Sequence, residues 1–257
     1  MKFANVDGER REATRSGQRG ICPGCGAEVV AKCGRVKVNH WDHFSGKDCD
    51  SWHEPETEWH RMWKNQFPVE WQEKDFVDEK TGEHHRADVY TPHGLTIEFQ
   101  HSAITPAEKE SREKFYKNLI WIVDGSRLKN DWPRFLENQT RLSPIPLPSF
   151  PTIYVASRNE KILPKNWTTN SCLVVFDFLG TEQASNKDPR NNLYCLLPQL
   201  NIIHDAFFIF ALSRNNLKEL CSEGTFFPFI NNYIANLKNK ITLTVDRAKR
   251  SKRSSRK

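Results

Sequence analysis

The chain has 257 residues, 37% of them apolar, which suffices for a core in one large domain or two modest ones. No stretch approaches the ~18 consecutive apolar residues of a membrane span, and Met1 to Arg15 is too polar for a signal peptide, so a cytoplasmic protein without a membrane partner is expected. Net charge is +6, but residues 247–257 carry seven basic residues and no acidic one; without them the chain stands at −1, so the basic balance describes a tail rather than a nucleic-acid surface on the body.

Residues up to about 20 read as a polar, irregular lead-in. Four of the seven cysteines (Cys22, Cys25, Cys33 and Cys49) then fall in one short stretch, a clustering that points to metal rather than disulfides in a chain with no export signal. Cys22-Pro-Gly-Cys25 is a knuckle in which two thiolates can share one ion, with Gly24 and Gly26 letting the backbone curl toward the sulfurs. After fourteen intervening residues comes His40-Trp-Asp-His43, far enough for a short hairpin to return the chain to the metal. A tetrahedral zinc site of Cys22, Cys25, His40 and His43 is expected, with Cys33 and Cys49 as rivals for the fourth position. With all four positions filled by protein the zinc is structural. The alternative is that these residues are unligated. The segment is too small for a core of its own and is expected to need the metal to fold. Trp41, Trp52 and Lys47 could stack on bases and touch phosphate, although simple packing of the tryptophans is the favoured reading.

A helix follows: Pro55 suits a first turn, and Trp59, Met62, Trp63 and Phe67 recur at helical spacing until Pro68. Strands are expected at 69–72, 85–90 and 95–101, the last two joined by the turn Thr91-Pro92-His93-Gly94. A second helix runs from Pro106 to about Lys117, and Leu119-Ile120-Trp121-Ile122-Val123 reads as a strand buried on both faces. Four prolines between 142 and 152 suggest an extended connection. Beyond it, strands at 173–179 and 193–197 and a helix at 212–220 carry no recognisable chemistry. Cys172, Cys195 and Cys221 sit by apolar segments and read as inert packing.

On the central hairpin, period two sets Glu98 beside Gln100, and Asp88 can face them from the neighbouring strand. Two acids this close repel unless a cation lies between them, and an oxygen-rich site suits magnesium or manganese. Glu56, His60 and Lys64, four residues apart, stack along one side of the first helix and could close over the same volume. Glu56 would add a carboxylate, while His60 or Lys64 would meet a phosphate or position water. The bland alternative is a solvated acid pair and a salt-bridged helix face. His53-Glu54 begins like a zinc-protease motif, but His60 lies seven residues on instead of four. No glycine-rich phosphate loop is present, and the cysteines near histidines look metal-bound, which disfavours a thiol hydrolase.

Taken in order, Cys22-Pro-Gly-Cys25, His40-Trp-Asp-His43, Glu56-Thr57-Glu58-Trp59-His60 with Lys64, Arg86-Ala87-Asp88-Val89, Ile97-Glu98-Phe99-Gln100-His101-Ser102, and Arg112 with Tyr116 resemble the CoiA-like competence-protein nucleases, a branch of the PD-(D/E)XK phosphodiesterases. The resemblance covers residues 20 to about 125. It implies an α/β (α+β) chain with a PD-(D/E)XK restriction-endonuclease-like core, a small zinc-ribbon-like N-terminal module and a C-terminal α/β extension. The expected division is 1–50 zinc module, 51–142 core, 143–245 extension and 246–257 disordered basic tail. It implies too a Mg2+- or Mn2+-dependent deoxyribonuclease in which Asp88 and Glu98 hold the ion. Gln100 stands where many members of the superfamily use lysine, and an amide there would orient water or phosphate by hydrogen bonding. DNA, single- or double-stranded, is the expected partner, in uptake and recombination, repair or phage defence. A homodimer, or a protein partner on the C-terminal half, fits equally. The rival function is a catalytically silent, zinc-dependent nucleic-acid-binding protein.

Overall fold

The first residues, expected as an irregular lead-in, form a hairpin. Strands β1 (Phe3–Val6) and β2 (Glu9–Glu12) pair around Asp7 and Gly8, whose φ angles are 51° and 81°. Two successive positive φ values are what a tight primed hairpin turn demands, and Asp-Gly supplies them. Strands β3 (Arg19–Ile21), β4 (Glu28–Lys32) and β5 (His40–His43) complete an antiparallel sheet of order β2-β1-β3-β4-β5. Its inner face buries Met1, Ala4, Val6, Val29, Ala31 and Trp41 against Cys22. The cysteine segment thus shares a small core to which residues 1–13, not expected to contribute, supply half the buried side chains. Trp41 is 1% exposed and its indole N–H donates to the Arg11 carbonyl, so it packs rather than stacks on a ligand.

Helix α1 (Glu58–Lys64) starts three residues later than Pro55 suggested. Thr57 is the N-cap and makes a reciprocal capping pair with His60: the Thr57 side chain takes the His60 N–H, and the His60 ring takes the Thr57 N–H. Glu56 thus precedes the helix, and only His60 and Lys64 share its spacing. Trp59 and Trp63 are buried against Phe99. Residues 69–71, expected to open a strand, make a single 3-10 turn, and strand β6 spans Gln72–Val77. Strands β7 (His84–Tyr90) and β8 (Thr96–Gln100) lie as expected, with Gly94 at φ 77° in the turn. Helix α2 (Pro106–Phe115), capped by Thr105, returns the chain to β9 (Leu119–Asp124), fully buried and parallel to β8. A parallel neighbour needs such a crossover. The strand order here is β9-β8-β7-β6.

The structure described here is a computed structural model covering residues 1–158, 161–200 and 202–254, with side chains described to residue 246. The chain forms two compact units, residues 1–127 with 179–183, and 128–178 with 184–257. Residues 1–50 lie in the same compact unit as β6–β9, which takes in residues 1–127 and 179–183. The second unit holds α3 (Asp131–Glu137), β10 (Ser143–Ile145), β11 (Ile153–Ser157), β12 (Leu173–Asp177), β13 (Asn192–Leu196), β14 (Ala206–Ser213), α4 (Arg214–Ser222) and α5 (Phe226–Ser254). Its strands run antiparallel in the order β10-β11-β14-β13-β12. Leu212 lies in β14, so the helix expected from 212 begins at Arg214. The backbone of α5 continues through Ser254; the side chains from 247 on and residues 255–257, on which the expected disordered basic tail falls, lie outside the described residues. Among the described residues, no helix is long and apolar enough to cross a membrane.

Candidate functional site

The knuckle, β5 and the loop after it bring Cys22, Cys25, His43 and Cys49 together, with one donor atom of each within 4.8 Å of the others. Cys25 Sγ lies 3.3 Å from His43 Nε2 and Cys22 Sγ lies 3.8 Å from Cys49 Sγ. Three thiols and an imidazole are the donor set of a structural zinc site, and Asp48, 3.7 Å from the otherwise unpartnered His43 Nδ1, is the carboxylate that commonly backs a ligating histidine. His40 is not part of the set: it lies three residues from His43 along β5, an odd step that turns the two side chains to opposite faces, and its Nδ1 meets the Val38 carbonyl at 2.9 Å. Cys49 takes its place. Cys33 packs against the small core without joining the cluster.

This cluster is tied directly to β7. Arg86 Nη2 donates to Cys22 Sγ at 3.3 Å, its Nε donates to Asp75 at 2.8 Å, and its backbone N–H donates to Asp50 Oδ2 at 3.0 Å. The knuckle sits so close that a Cβ at Gly24 would come within 2.5 Å of Asp75 Oδ1. The hydrogen bond from Cys49, then one from the Cys25 backbone and the charge of Arg86, outweigh burial and hold the Cys22 thiol well below its ordinary range.

Two residues beyond Arg86, Asp88 enters a pocket also lined by Asp50, Trp52, Glu54, Glu56, His60, Lys64, Glu73, Glu98 and Arg112. Cα pairing of β7 with β8 is confined to Val89 with Ile97 and Tyr90 with Thr96. Beyond it, carboxylates take over the ladder's donors: the Asp88 N–H donates to Glu98 Oε1 at 3.3 Å, and the Phe99 N–H to Asp88 Oδ2 at 2.9 Å. Asp88 and Glu98 therefore line one pocket, each carboxylate accepting a backbone N–H of the other's strand. Burial and then Asp88 push the Glu98 carboxyl up to about 8, against the relief from Arg112, whose Nη1 is 3.1 Å from Glu98 Oε2. Among the described residues, the cysteine–histidine cluster is the one group in which three or more such donors converge; the acids here form a pair.

Lys64 ties the other acids. Its ammonium is 3.0 Å from Asp88 Oδ1, 3.0 Å from Glu73 Oε1 and 3.6 Å from Glu56 Oε1. Burial alone would lower its pKa, but Glu56, Glu73 and Asp88 outweigh it and hold it above the lysine range. Glu56 is engaged twice more by Arg61, at 2.8 and 3.0 Å. Glu73, at φ 50°, also takes the N–H groups of Lys2 and Phe3. His60 lines the pocket with both ring nitrogens occupied, Nδ1 by Thr57 and Nε2 by Glu54 and the Phe99 carbonyl. Gln100 reaches the pocket only through Glu54. Trp52 lies flat on His85, ring centroids 3.4 Å apart, and so is not a free stacking surface. Lys47 is exposed, without an ion pair among the described residues. Sequence reading missed Asp50, Glu54 and Glu73. For Asp50 and Glu54 the available signal was their place in the run straight after Cys49; Glu73 has none.

Residues 4–51 match the family described as Competence protein CoiA, N-terminal domain. Competence protein CoiA of Bacillus subtilis (strain 168) is 30% identical over 135 residues, which take in 48% of this chain and 36% of that protein. The match thus spans about a third of the relative's length. No solved structure matches the chain. Over its N-terminal part the chain is thus similar to CoiA, in a segment that carries most of a cysteine–histidine cluster able to hold a metal ion.

Proposed function

We propose that the chain is a metal-dependent nuclease that hydrolyses DNA phosphodiester bonds, with a PD-(D/E)XK-like centre at Asp88 and Glu98. The observation that carries this reading is the meeting of those two carboxylates in one pocket, each holding a backbone N–H at the point where β7 and β8 part. An all-oxygen pair fits magnesium or manganese, and a Glu98 carboxyl raised to about 8 is a buried acid whose charge lacks full compensation. A bound divalent cation supplies Lewis acidity toward a phosphodiester oxygen and a lower pKa for attacking water. Around it, Arg112 holds Glu98 in place, and Lys64 sets a positive charge beside Asp88 that Gln100, standing where many superfamily members have lysine, cannot provide. His60, with no free ring nitrogen, positions Glu54 and the β8 backbone and is not a base. The zinc site stiffens the pocket wall. The printed name of the Bacillus relative ties that protein to competence; for this chain, uptake and recombination, repair and phage defence are all compatible with the chemistry.

The test is incubation of zinc-loaded protein with linear, circular and single-stranded DNA in magnesium, manganese or chelator. Metal-dependent cutting is expected, reduced roughly 100-fold or more in Asp88→Ala and Glu98→Ala. A folded wild type that cuts nothing, or variants that cut equally well, overturn the reading. One observation favours the silent, zinc-dependent nucleic-acid binder: Lys64 and Arg112 already pair with both acids. On that reading DNA binds with strong salt dependence but is recovered intact in every metal.

A further inference from the structure

The pocket of Asp88 and Glu98 is a poor place to attract a polyanion by itself. Six acids of its lining stand against three lysine or arginine side chains, Lys64, Arg86 and Arg112. Each of those cations already lies 3.1 Å or less from a carboxylate oxygen. Duplex DNA carries one negative charge per about 1.7 Å of its axis, so it needs uncommitted cations beside such a pocket.

The loop between β4 and β5 has them. From Val29 to Trp41 the chain holds three basic residues, Lys32, Arg35 and Lys37, and no acidic one. All three are exposed and form no ion pair among the described residues. Cations on neighbouring strands are neutralised instead, Arg11 by Glu9 and Arg19 by Glu28. Between Arg35 and Lys37, Val36 is 96% exposed, and a Cβ at Gly34 would meet nothing within 4 Å, so the tip stands clear of the body of its unit. An apolar side chain left in water contributes nothing to the fold by burial. Flanked by two cations, it has the make-up of an element that touches a DNA groove while its neighbours reach phosphates.

The tip is also anchored beside the pocket. At its base the Asn39 carbonyl accepts from Arg61 Nη2 at 2.8 Å, and the same nitrogen donates to Glu56 Oε2 at 2.8 Å. One guanidinium thus separates the loop from a residue of the pocket lining. Strand β5 continues from that base to His43 of the cysteine–histidine cluster.

We propose that the β4–β5 tip is a DNA-docking surface: Arg35 and Lys37 meet backbone phosphates of a duplex and Val36 contacts its groove, holding the nucleic acid beside the acidic pocket. This rests on the reading that DNA is the substrate, but not on the cleavage chemistry.

The test is fluorescence anisotropy of a fluorescein-labelled duplex titrated with the full, zinc-loaded chain, from about 50 to 200 mM salt and without magnesium or manganese. The wild type is expected to bind with log K falling linearly against log salt. Replacing both cations, Arg35→Ala with Lys37→Ala, should weaken binding roughly tenfold at low salt and make that slope shallower by about two. Val36→Ser should weaken binding and leave the slope unchanged, because it removes no charge. Lys80→Ala, at an exposed position between β6 and β7, should alter neither. Zinc content and melting temperature equal to those of the wild type establish that the variants are folded. Unchanged affinity and slope in the double variant, an equal loss in Lys80→Ala, or a wild type that binds no DNA overturns the proposal. Polyglutamate bound as tightly and with the same dependence on the tip also overturns it, in favour of an acidic protein partner. DNA bound through the tip yet never cut in magnesium or manganese keeps the docking surface and removes the nuclease, whereas cutting by a chain whose DNA binding ignores the tip does the reverse.

Discussion

Glu98 gives the site a pH dependence whose sign can be worked out. Its ordinary pKa of 4.5 is raised to about 8 in the fold, by burial first and Asp88 second, so the folded chain holds a proton that the unfolded chain has released across that window. Stability from this group is full below 4.5 and is lost as pH rises through about 8. Without magnesium or manganese, the melting temperature of the wild type relative to Glu98→Gln is therefore expected to fall between those limits, as calorimetry would show. Parallel curves for the two proteins would mean that Glu98 is ionised throughout. Glu54 behaves in the opposite way: burial would raise its carboxyl, but the hydrogen bonds from His60 and Ser102 hold it at about 2. Asp88, Glu98 and Gln100 were legible because two-residue alternation is local. Glu73 was not, because its partners are Lys2 and Phe3, some seventy residues earlier in the chain.

At the scale of elements, the knuckle and its hairpin were legible down to one ligand. His43, at the end of β5, reaches Cys25, whereas His40 lies at the other end of that strand, opposite Lys32. Spacing alone could not choose between them, since H-x-x-H places both within reach of a sharper turn. His40→Ala is expected to retain about one zinc per chain and Cys49→Ser to lose most of it, as metal analysis of the purified variants would show. Equal retention by both would return the fourth position to dispute. The start of α1 was misplaced because Pro55 is a good first-turn residue, but Thr57 with His60 forms the stronger cap. The N-terminal hairpin carried its turn signal in Asp7-Gly8, hidden because its second strand is too polar to read: β2 is exposed at every position.

For the whole molecule, the cysteine–histidine cluster and the acidic pocket share one compact unit. Cys49 leads straight into Asp50, Trp52, Glu54 and Glu56, all pocket residues, while Arg86 joins the Cys22 sulfur to the strand bearing Asp88. Removing zinc with a strong chelator should therefore raise hydrogen exchange in residues 49–56 and 84–88 together, while β12, β13 and β14 of the second unit keep their protection. Exchange confined to residues 22–49 would show the zinc site to be independent of the pocket. The second unit was legible only in pieces: β12 and β13 stood out as apolar runs, but α3, β11, β14 and α5 did not, and its buried Asp177 pairs with Arg214, 37 residues on.

What the sequence determined by itself was whatever is encoded within a few residues: the knuckle, the alternation that sets Glu98 beside Gln100, the capped helices and the buried strand β9. Tertiary structure alone decided that Cys49 and not His40 completes the cysteine–histidine cluster, that Lys64 answers three acids at once, and that Glu54 gathers His60, Gln100 and Ser102. Such choices depend on which distant segments pack together, and burial makes each unpaired charge or donor costly enough to select one arrangement.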